Sequence, residues 1–351
     1  MRDPARPEAP STAEGDCRVP FSFELYPPRT PASMDALRTT VRELAAVGPD
    51  HISVTYGANG SSRDASLELL GLILATTSVR PLAHLTCVGS SHAEAAVVIR
   101  QFLEAGVTSF LALRGDPPPG IREEDVVLGD LGSASELVQL IHRVQAERVP
   151  YTEEGLPGLL GATRVKDGRE RLQVSVAAFP NGHPRNRSSF HDVDALLAKQ
   201  VAGADFAITQ LFFEADDYLS FVQRARAAGV TMPIIPGIMP VTSAARLRRI
   251  AELSGETAPP ALLEALDQAT DDEARLRIGV EHATALARAV IAGGAPSLHL
   301  YTFNQHAASL AVLRACGLIP AVGTTTATTA SDLTASDLTT AVPHPSIKEF
   351  A

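Results

Sequence analysis

The chain has 351 residues, enough for one large barrel domain or two ordinary domains. Hydrophobic residues make up 45% of it but aromatics only 5%, with no Trp, so its core must be mostly aliphatic. A formal charge of −10 argues against sequence-independent nucleic-acid binding, and no apolar run reaches membrane-spanning length.

Residues 1–17 are Pro-, Ala- and Glu-rich with no apolar stretch, which predicts a disordered arm rather than a secretory signal. Cys17, Cys87 and Cys316 are widely spaced, so neither a disulfide scaffold nor a thiolate metal site is expected. A cytoplasmic protein is the expectation from these features.

The first strand is read at 20–25, where Ser22-Phe23-Glu24-Leu25-Tyr26 runs into Pro27-Pro28. Proline has no N–H for a strand ladder, so the strand stops there and leaves Glu24 near its C-terminal end. A carboxylate is costly in a strand covered on both faces unless it has a partner or a task. An Arg such as Arg29 or Arg63 is one candidate partner. Burial would raise the acid's pKa and suit it to proton donation. Met34, Leu37, Val41, Leu44 and Ala45 then keep a helical step, with Ser33 before them and Gly48-Pro49 after.

Further strands are read at 51–56, 82–87, 107–113, 172–178, 205–210, 232–237 and 297–302, with helical periodicity between them. Alternating strand and helix implies a parallel sheet with helices outside. Eight such units predict an α/β fold closed as a single-domain (β/α)8 TIM barrel over 18–319, with extra helices before the last strand. The first strand–helix turn lacks the Gly-rich dinucleotide fingerprint, which weighs against an open Rossmann sheet. Tyr151 to Arg171 reads as a hairpin or a loop. Residues 320–351 include Ser331-Asp332-Leu333-Thr334, echoed at Ser336-Asp337-Leu338-Thr339, and predict a disordered tail.

Active sites of such barrels lie at the strand C-termini, so residues there are the candidates. Thr55 and Tyr56 end the second strand, where Gly57 and Gly60 allow close backbone approach. His84 lies in an apolar strand, which suits a core position as well as a ligand contact. Arg114-Gly115-Asp116 repeats the pattern of an acid after an apolar strand; it fits a salt-bridged turn or a charge beside a bound ring. His183 follows the fifth strand, and Asp192, Ala195 and Lys199 share one helical face. Gln210 can both donate and accept at a heterocycle edge.

Six runs in chain order then carry a resemblance. They are Phe23-Glu24-Leu25-Tyr26-Pro27-Pro28, Val54-Thr55-Tyr56-Gly57-Ala58, His84-Leu85-Thr86-Cys87, Ala112-Leu113-Arg114-Gly115-Asp116-Pro117-Pro118, Ile208-Thr209-Gln210-Leu211-Phe212-Phe213 and Ile235-Pro236-Gly237-Ile238-Met239-Pro240. Together they resemble the methylenetetrahydrofolate reductase family in its short, catalytic-barrel form. The resemblance implies non-covalent FAD at the barrel rim, reduced by NADH or NADPH and reoxidised by methylenetetrahydrofolate in a ping-pong cycle. That cycle would supply methyl groups for methionine synthesis, and the enzyme could be a homo-oligomer.

By the same resemblance Glu24 is the acid that assists opening of the methylene bridge. Asp116 is the carboxylate near flavin and folate, Gln210 is shared by folate and nicotinamide, and Thr55 contacts the nicotinamide nucleotide. Tyr56, Ala58, His84, Arg114, Gly115, Ala134, His183, Asp192 and Lys199 match flavin contacts, as does Phe179 where some members carry Tyr. Asn186 and Ala195 align near flavin contacts. One departure stands out. Members often end the last strand with Leu-Asn-Arg, whose Arg holds the folate tail, whereas this chain has Phe303-Asn304-Gln305. Arg246 in turn stands where members can carry Gln, so the cationic and amide roles are expected to have exchanged, unless Arg246 is simply a solvated helix residue. Two rival readings are a non-catalytic flavin- or folate-binding regulatory barrel and a barrel methyltransferase. The retained acids disfavour the first, and the scattered cysteines the second.

Overall fold

In the computed structural model, which describes residues 18–28, 30–56, 63–115, 129–148, 152–155, 163–166, 171–183 and 189–321, strands and helices alternate along the chain. The order opens β1 (Phe21–Leu25), α1 (Pro31–Ala45), β2 (His51–Val54), α2 (Arg63–Thr76), β3 (Arg80–Thr86), α3 (His92–Glu104), β4 (Ser109–Leu113) and α4 (Ala134–Arg148). An antiparallel hairpin, β5 (Thr152–Gly155) with β6 (Thr163–Lys166), then interrupts the alternation where a hairpin or loop was expected. It resumes with β7 (Gln173–Ala178), α5 (Ser189–Val201), β8 (Phe206–Thr209) and α6 (Ala215–Ala227). Next come β9 (Ile234–Ile235), β10 (Gly237–Ile238), α7 (Ala244–Ser254), α8 (Pro260–Gln268), α9 (Asp272–Ala292), β11 (Leu298–Tyr301) and α10 (His306–Ala315). The expected arm at 1–17 and the tail from 322 lie outside the described residues.

The first helix starts earlier than its apolar periodicity suggests. Thr30, not Ser33, is its N-cap, and Thr30 and Ser33 form a reciprocal capping box. The extra helical material expected before the last strand is α8 and α9.

Every strand pair of the main sheet is parallel, in the order β10-β11-β1-β2-β3-β4-β7-β8-β9. The two ends of that order are halves of one stretch, 234–238, broken at Pro236. Pro236 cannot donate to a ladder, so one half pairs with β8 and the other with β11. The stretch thereby joins the two edges and closes a (β/α)8 barrel. The seam is completed by Pro236 O accepting from His299 N at 3.0 Å, by Gly237 N donating to Thr209 Oγ1 at 2.9 Å, and by Tyr301 Oη donating to Thr209 O at 2.7 Å.

Alternation along each strand sorts its side chains into two cores. Phe21, Phe23, Leu25, Ile52, Val54, Phe110, Ala112, Leu298 and Leu300 point outward into the large cluster beneath the helices. Leu82, Leu111, Leu113, Phe206, Ile208 and Ile235 form a separate cluster inside the barrel. That interior is apolar only on the side of β3, β4, β8 and β9. The same inward register brings Ser22, Glu24, His51, Ser53, His84, His299 and Tyr301 inside from β11, β1, β2 and β3, all of them buried.

Gly237 is required where the seam is tightest. A Cβ there would lie 2.5 Å from Thr209 O and 2.6 Å from a Tyr301 ring carbon. Gly237→Ala is therefore expected to lower stability by about 1–3 kcal/mol, as overpacking does, read as a lower denaturant midpoint at unchanged m-value.

Candidate active site

Glu24 faces the barrel axis from the fourth position of β1 and is 6% exposed. Its Oε2 lies 3.5 Å from His84 Nε2 and 3.7 Å from His299 Nε2. Burial pushes the His84 pKa down to about 3, helped by repulsion from His51. His299 is held well below the usual imidazole range by burial and by its two histidine neighbours. Both rings are therefore neutral near pH 7 and do not lock Glu24 in an ion pair. Arg63, offered by the sequence as a partner for Glu24, instead lies 3.9 Å from Asp64, and Arg29 lies outside the described residues. Tyr301, beside the acid, is kept protonated by burial and by the Glu24 charge.

The turn after β11 fixes the mouth above Glu24. Thr302 Oγ1 donates to the Glu24 carbonyl at 2.7 Å. Asn304 pairs with Tyr26 in both directions, accepting from Tyr26 N at 2.9 Å and donating to Tyr26 O at 2.8 Å. Phe303 and Asn304 hold left-handed backbone at φ 52° and 58°, a conformation costing an L-residue about 1 kcal/mol or more, which the paired hydrogen bonds offset. Phe303 carries the guanidinium of Arg246, whose Cζ is 4.7 Å from the ring centre. Arg246 is thus half-buried rather than solvated, and its buried Nε makes no hydrogen bond. Gln305 is exposed at the start of α10, one turn from that stacked pair.

A cavity of about 460 Å3 opens beside β4, β7 and α5. It gathers Arg114, Ala134, Phe179, His183, Asp192 and Lys199, six residues expected at one ligand. The His183 and Phe179 rings meet edge to face at 4.7 Å. His183 N donates to Asp192 Oδ1 at 3.0 Å. Lys199 Nζ donates to Ala177 O at 2.8 Å and stands 6.0 Å over Phe179. Burial pushes the Lys199 pKa down to about 8, against the pull of Asp192. An incoming anion would restore the charge that burial disfavours. Two cations, a carboxylate and two aromatic rings suit a ligand with phosphate and ring parts.

Gly115 follows Arg114 at φ 89°, where a Cβ would meet Thr86 Cβ and Val88 Cγ1 at 2.9 Å. Only glycine fits that turn, and it sets the direction in which the chain leaves toward Asp116. Asp116, Ala58 and Asn186 lie outside the described residues. Gln210 is buried at the end of β8, its Oε1 accepting from Leu211 N at 2.8 Å.

Not every expected residue reaches this cleft. Thr55 is buried at the end of β2, where its N donates to Leu25 O at 3.0 Å and its O accepts from Ser66 Oγ at 2.9 Å. Tyr56 lines a different cavity of about 550 Å3 with Arg63, Thr86 and Glu94. His84 lies in the barrel interior against Glu24. His299 is a further interior residue beside Glu24 that strand position alone does not single out, although Ser297-Leu298-His299-Leu300-Tyr301 alternates polar and apolar as β1 does. Cys87 is buried with its thiol pushed up to about 11, so it is no thiolate at neutral pH. Among the described residues no cluster of His, Cys, Asp and Glu could hold a metal, and no helix is long and apolar enough to cross a membrane.

A family profile for methylenetetrahydrofolate reductase matches residues 11–317. The 5,10-methylenetetrahydrofolate reductase of Escherichia coli K12 is 31% identical over 311 residues, covering 88% of this chain and 95% of that protein. A probable methylenetetrahydrofolate reductase (NADH) of rice is 32% identical over 308 residues, covering 88% of this chain but 50% of the rice protein. The chain thus spans about half the length of its plant relatives. Among solved structures, an uncharacterized Clostridium thermocellum protein that binds two copies of 5-methyl-5,6,7,8-tetrahydrofolic acid superposes with a TM-score of 0.55 at 13% identity. It covers 85% of this chain and 94% of its own, a likeness of fold.

Three interior histidines give the stability a definite pH dependence. His51 and His84 are held near 4 and 3 when folded, His299 is also depressed, and each returns to about 6.5 on unfolding. Between those values the unfolded chain binds more protons, so stability rises with pH. Unfolding free energy is expected to fall steadily as pH drops below 6.5. Equilibrium denaturation at stepped pH reads this, and His51→Asn should flatten the slope.

Proposed function

We propose, for a chain that belongs to the methylenetetrahydrofolate reductase family, that it reduces 5,10-methylenetetrahydrofolate to 5-methyltetrahydrofolate with electrons from NADH or NADPH. Arg114, Phe179, His183, Asp192 and Lys199 would hold FAD, which would supply the hydride relay between the nicotinamide and the one-carbon unit of the folate. The two substrates use the same rim in turn, a ping-pong order, and the product would feed methionine synthesis.

The chain's residues fit the cofactor. Lys199 and Arg114 supply cationic donors for a diphosphate, and Lys199 keeps ammonium protons beyond the one held by Ala177 O. Phe179 and His183 offer ring faces and edges, and Asp192 an acceptor for hydroxyls. Gln210 presents an amide at the rim to whichever substrate is bound. Asp116, next after the forced Gly115 turn, would stabilise the cationic iminium that forms when the methylene bridge opens.

The single observation that carries the reading is Glu24, a nearly dry carboxyl at the end of β1 between two neutral imidazoles. Opening the bridge requires a proton on the departing folate nitrogen, and Glu24 is the group built to deliver it. Anaerobic stopped-flow absorbance separates the steps. Glu24→Gln should still be bleached by NADH or NADPH at near wild-type rate. Its reoxidation by methylenetetrahydrofolate should slow by about 10²–10⁴, the usual worth of a general acid. A flavin-loaded protein that never bleaches would instead be the regulatory barrel.

Arg246, stacked on Phe303 with its Nε unsatisfied, is proposed to hold the glutamate tail of the folate. Losing a charge-assisted hydrogen bond to a carboxylate costs about 1.5–3 kcal/mol. Arg246→Ala should therefore raise the folate KM by roughly tenfold or more, with little change in kcat. An unchanged KM in Arg246→Ala, together with a lower KM in Gln305→Arg, would refute the exchange of roles.

A further inference from the structure

Below Glu24 the barrel interior holds a second histidine that the proposed reaction does not use. His51 opens β2, and its ring stacks on His299 at 5.9 Å and 21°. His51 also lines a cavity of about 640 Å3 at the N-terminal mouth of the barrel, with Asp50, Arg80, Arg171, Gln173 and Asp205. In the same interior lie buried polar atoms with no hydrogen bond among the described residues: His51 Nε2, Ser53 Oγ, His84 Nε2, Ser109 Oγ and His299 Nε2. Buried polar groups without a protein partner are the ones ordered water serves. The stacked His51 and His299 rings each carry such an Nε2 inside the barrel, so ordered water can serve both.

We propose that His51, His299 and Ser22, with bound water between them, form a proton-delivery route that reprotonates Glu24 from the N-terminal mouth of the barrel. The inference rests on Glu24 acting as the general acid. In each turnover Glu24 gives one proton to the folate nitrogen whose bond to the one-carbon unit breaks. The carboxylate left behind takes one proton from bulk water in the lower cavity, and no electrons move along the route. Glu24 is already nearly covered, and a ligand on the rim closes it further, so a path from below supplies the proton while the rim is occupied.

Ser22 gives the route its reset. Its hydroxyl lies 2.8 Å from His299 Nδ1 and 3.3 Å from Leu298 O. With the hydroxyl proton on Leu298 O, His299 Nδ1–H donates to Ser22 and a bare Nε2 faces Glu24. With the hydroxyl turned onto Nδ1, Nε2 carries the proton toward Glu24 instead. A proton passes when Nε2–H goes to the Glu24 carboxylate while Nδ1 takes the Ser22 hydroxyl proton and Ser22 takes one from the bound water, so the ring stays neutral and the net change is one proton from bulk water to Glu24. His84 touches the same carboxylate but does not line the lower cavity, so it flanks Glu24 rather than connecting it. Charged and titratable groups around the route include Asp50, Arg80, Arg171 and Asp205 at the lower cavity that His51 lines, and His84 and Tyr301 at Glu24.

The test is His51→Phe in the FAD-loaded enzyme. Bleaching by the nicotinamide and the first reoxidation by methylenetetrahydrofolate should stay within about twofold of wild type, because a general acid spends its own proton first and needs the route only to regain it. Later turnovers should slow by about tenfold or more, with a larger solvent deuterium isotope effect and partial rescue by added imidazole. Ser22→Ala should show the same burst, so a misfolded His51 variant does not end the test. Steady turnover as fast as the first in both variants would overturn the route. A readout without turnover comes from nitrogen-15 NMR of the protein lacking flavin. Exchange of the His299 ring N–H with D2O should be at least about tenfold slower in His51→Phe, and unchanged exchange would overturn the route. If the wild-type protein fails to reduce folate at all, the general-acid reading falls, and the exchange measurement still decides whether the route exists.

Discussion

The structure turns on a carboxyl and three imidazoles buried inside an aliphatic barrel. A two-residue alternation makes this possible, because it lets one short strand serve two solvents at once. On β1, Phe21, Phe23 and Leu25 pack beneath the helices while Ser22 and Glu24 face the axis. Burying such polar groups is expensive unless they are paired or neutral. The barrel meets that cost by collecting them: Ser22 serves His299, and His84 and His299 flank Glu24. The other half of the interior is a compact apolar cluster.

Closure is the second constraint, and it depends on the first. The stretch 234–238 cannot be one continuous strand, since Pro236 breaks its ladder. Splitting it lets Gly237 come against Thr209 and Tyr301 at the place where the barrel's two edges meet. Tyr301 therefore has a double role. Its hydroxyl ties β11 to the end of β8, and its ring packs against His299 at 5.3 Å, bracing the imidazole that faces Glu24. The residue next in the chain, Thr302, ties the same strand to the Glu24 carbonyl. Barrel closure and the placement of the acid thus share one short segment.

Much of this was legible in the sequence because the physics behind it is local. Pro27-Pro28 ended β1 where the chain reads, and Glu24 stayed at its rim. Asp192, Ala195 and Lys199 shared a helical face and do line one cavity. Thr30 rather than Ser33 caps α1, through a reciprocal capping box with Ser33 and Pro31 in the first turn, a local signal that apolar periodicity does not carry. Local reading failed where long-range packing decides. His299 was overlooked because a histidine between leucines looks like core until the strand across the barrel is known. No spacing in the sequence places it beside His84, which lies 215 positions earlier, or reveals that Arg246 packs on Phe303. Arg63 failed as a partner for Glu24 for the same reason: sequence offers cations, and only the closed barrel says which ones reach the axis.

The separation of charges across the barrel is a chemical requirement as much as a packing result. A lysine beside Glu24 would hold it as a carboxylate and disable it as a donor. Lys199 is instead carried by α5, beyond β7, with β2, β3 and β4 between that strand and β1 in the sheet. Its ammonium is tied to Ala177 O and set over Phe179, where an anionic ligand would make burial of the charge favourable. Two imidazoles stand within 3.7 Å of the Glu24 carboxylate, and burial keeps those neutral. One closed sheet thereby maintains two electrostatic environments at a single rim. One is cationic and suits phosphate; the other is buried among neutral imidazoles and suits a proton donor. Exchanging the inward and outward registers of β1 by one residue would put Glu24 under the helices and destroy both the pocket and the core.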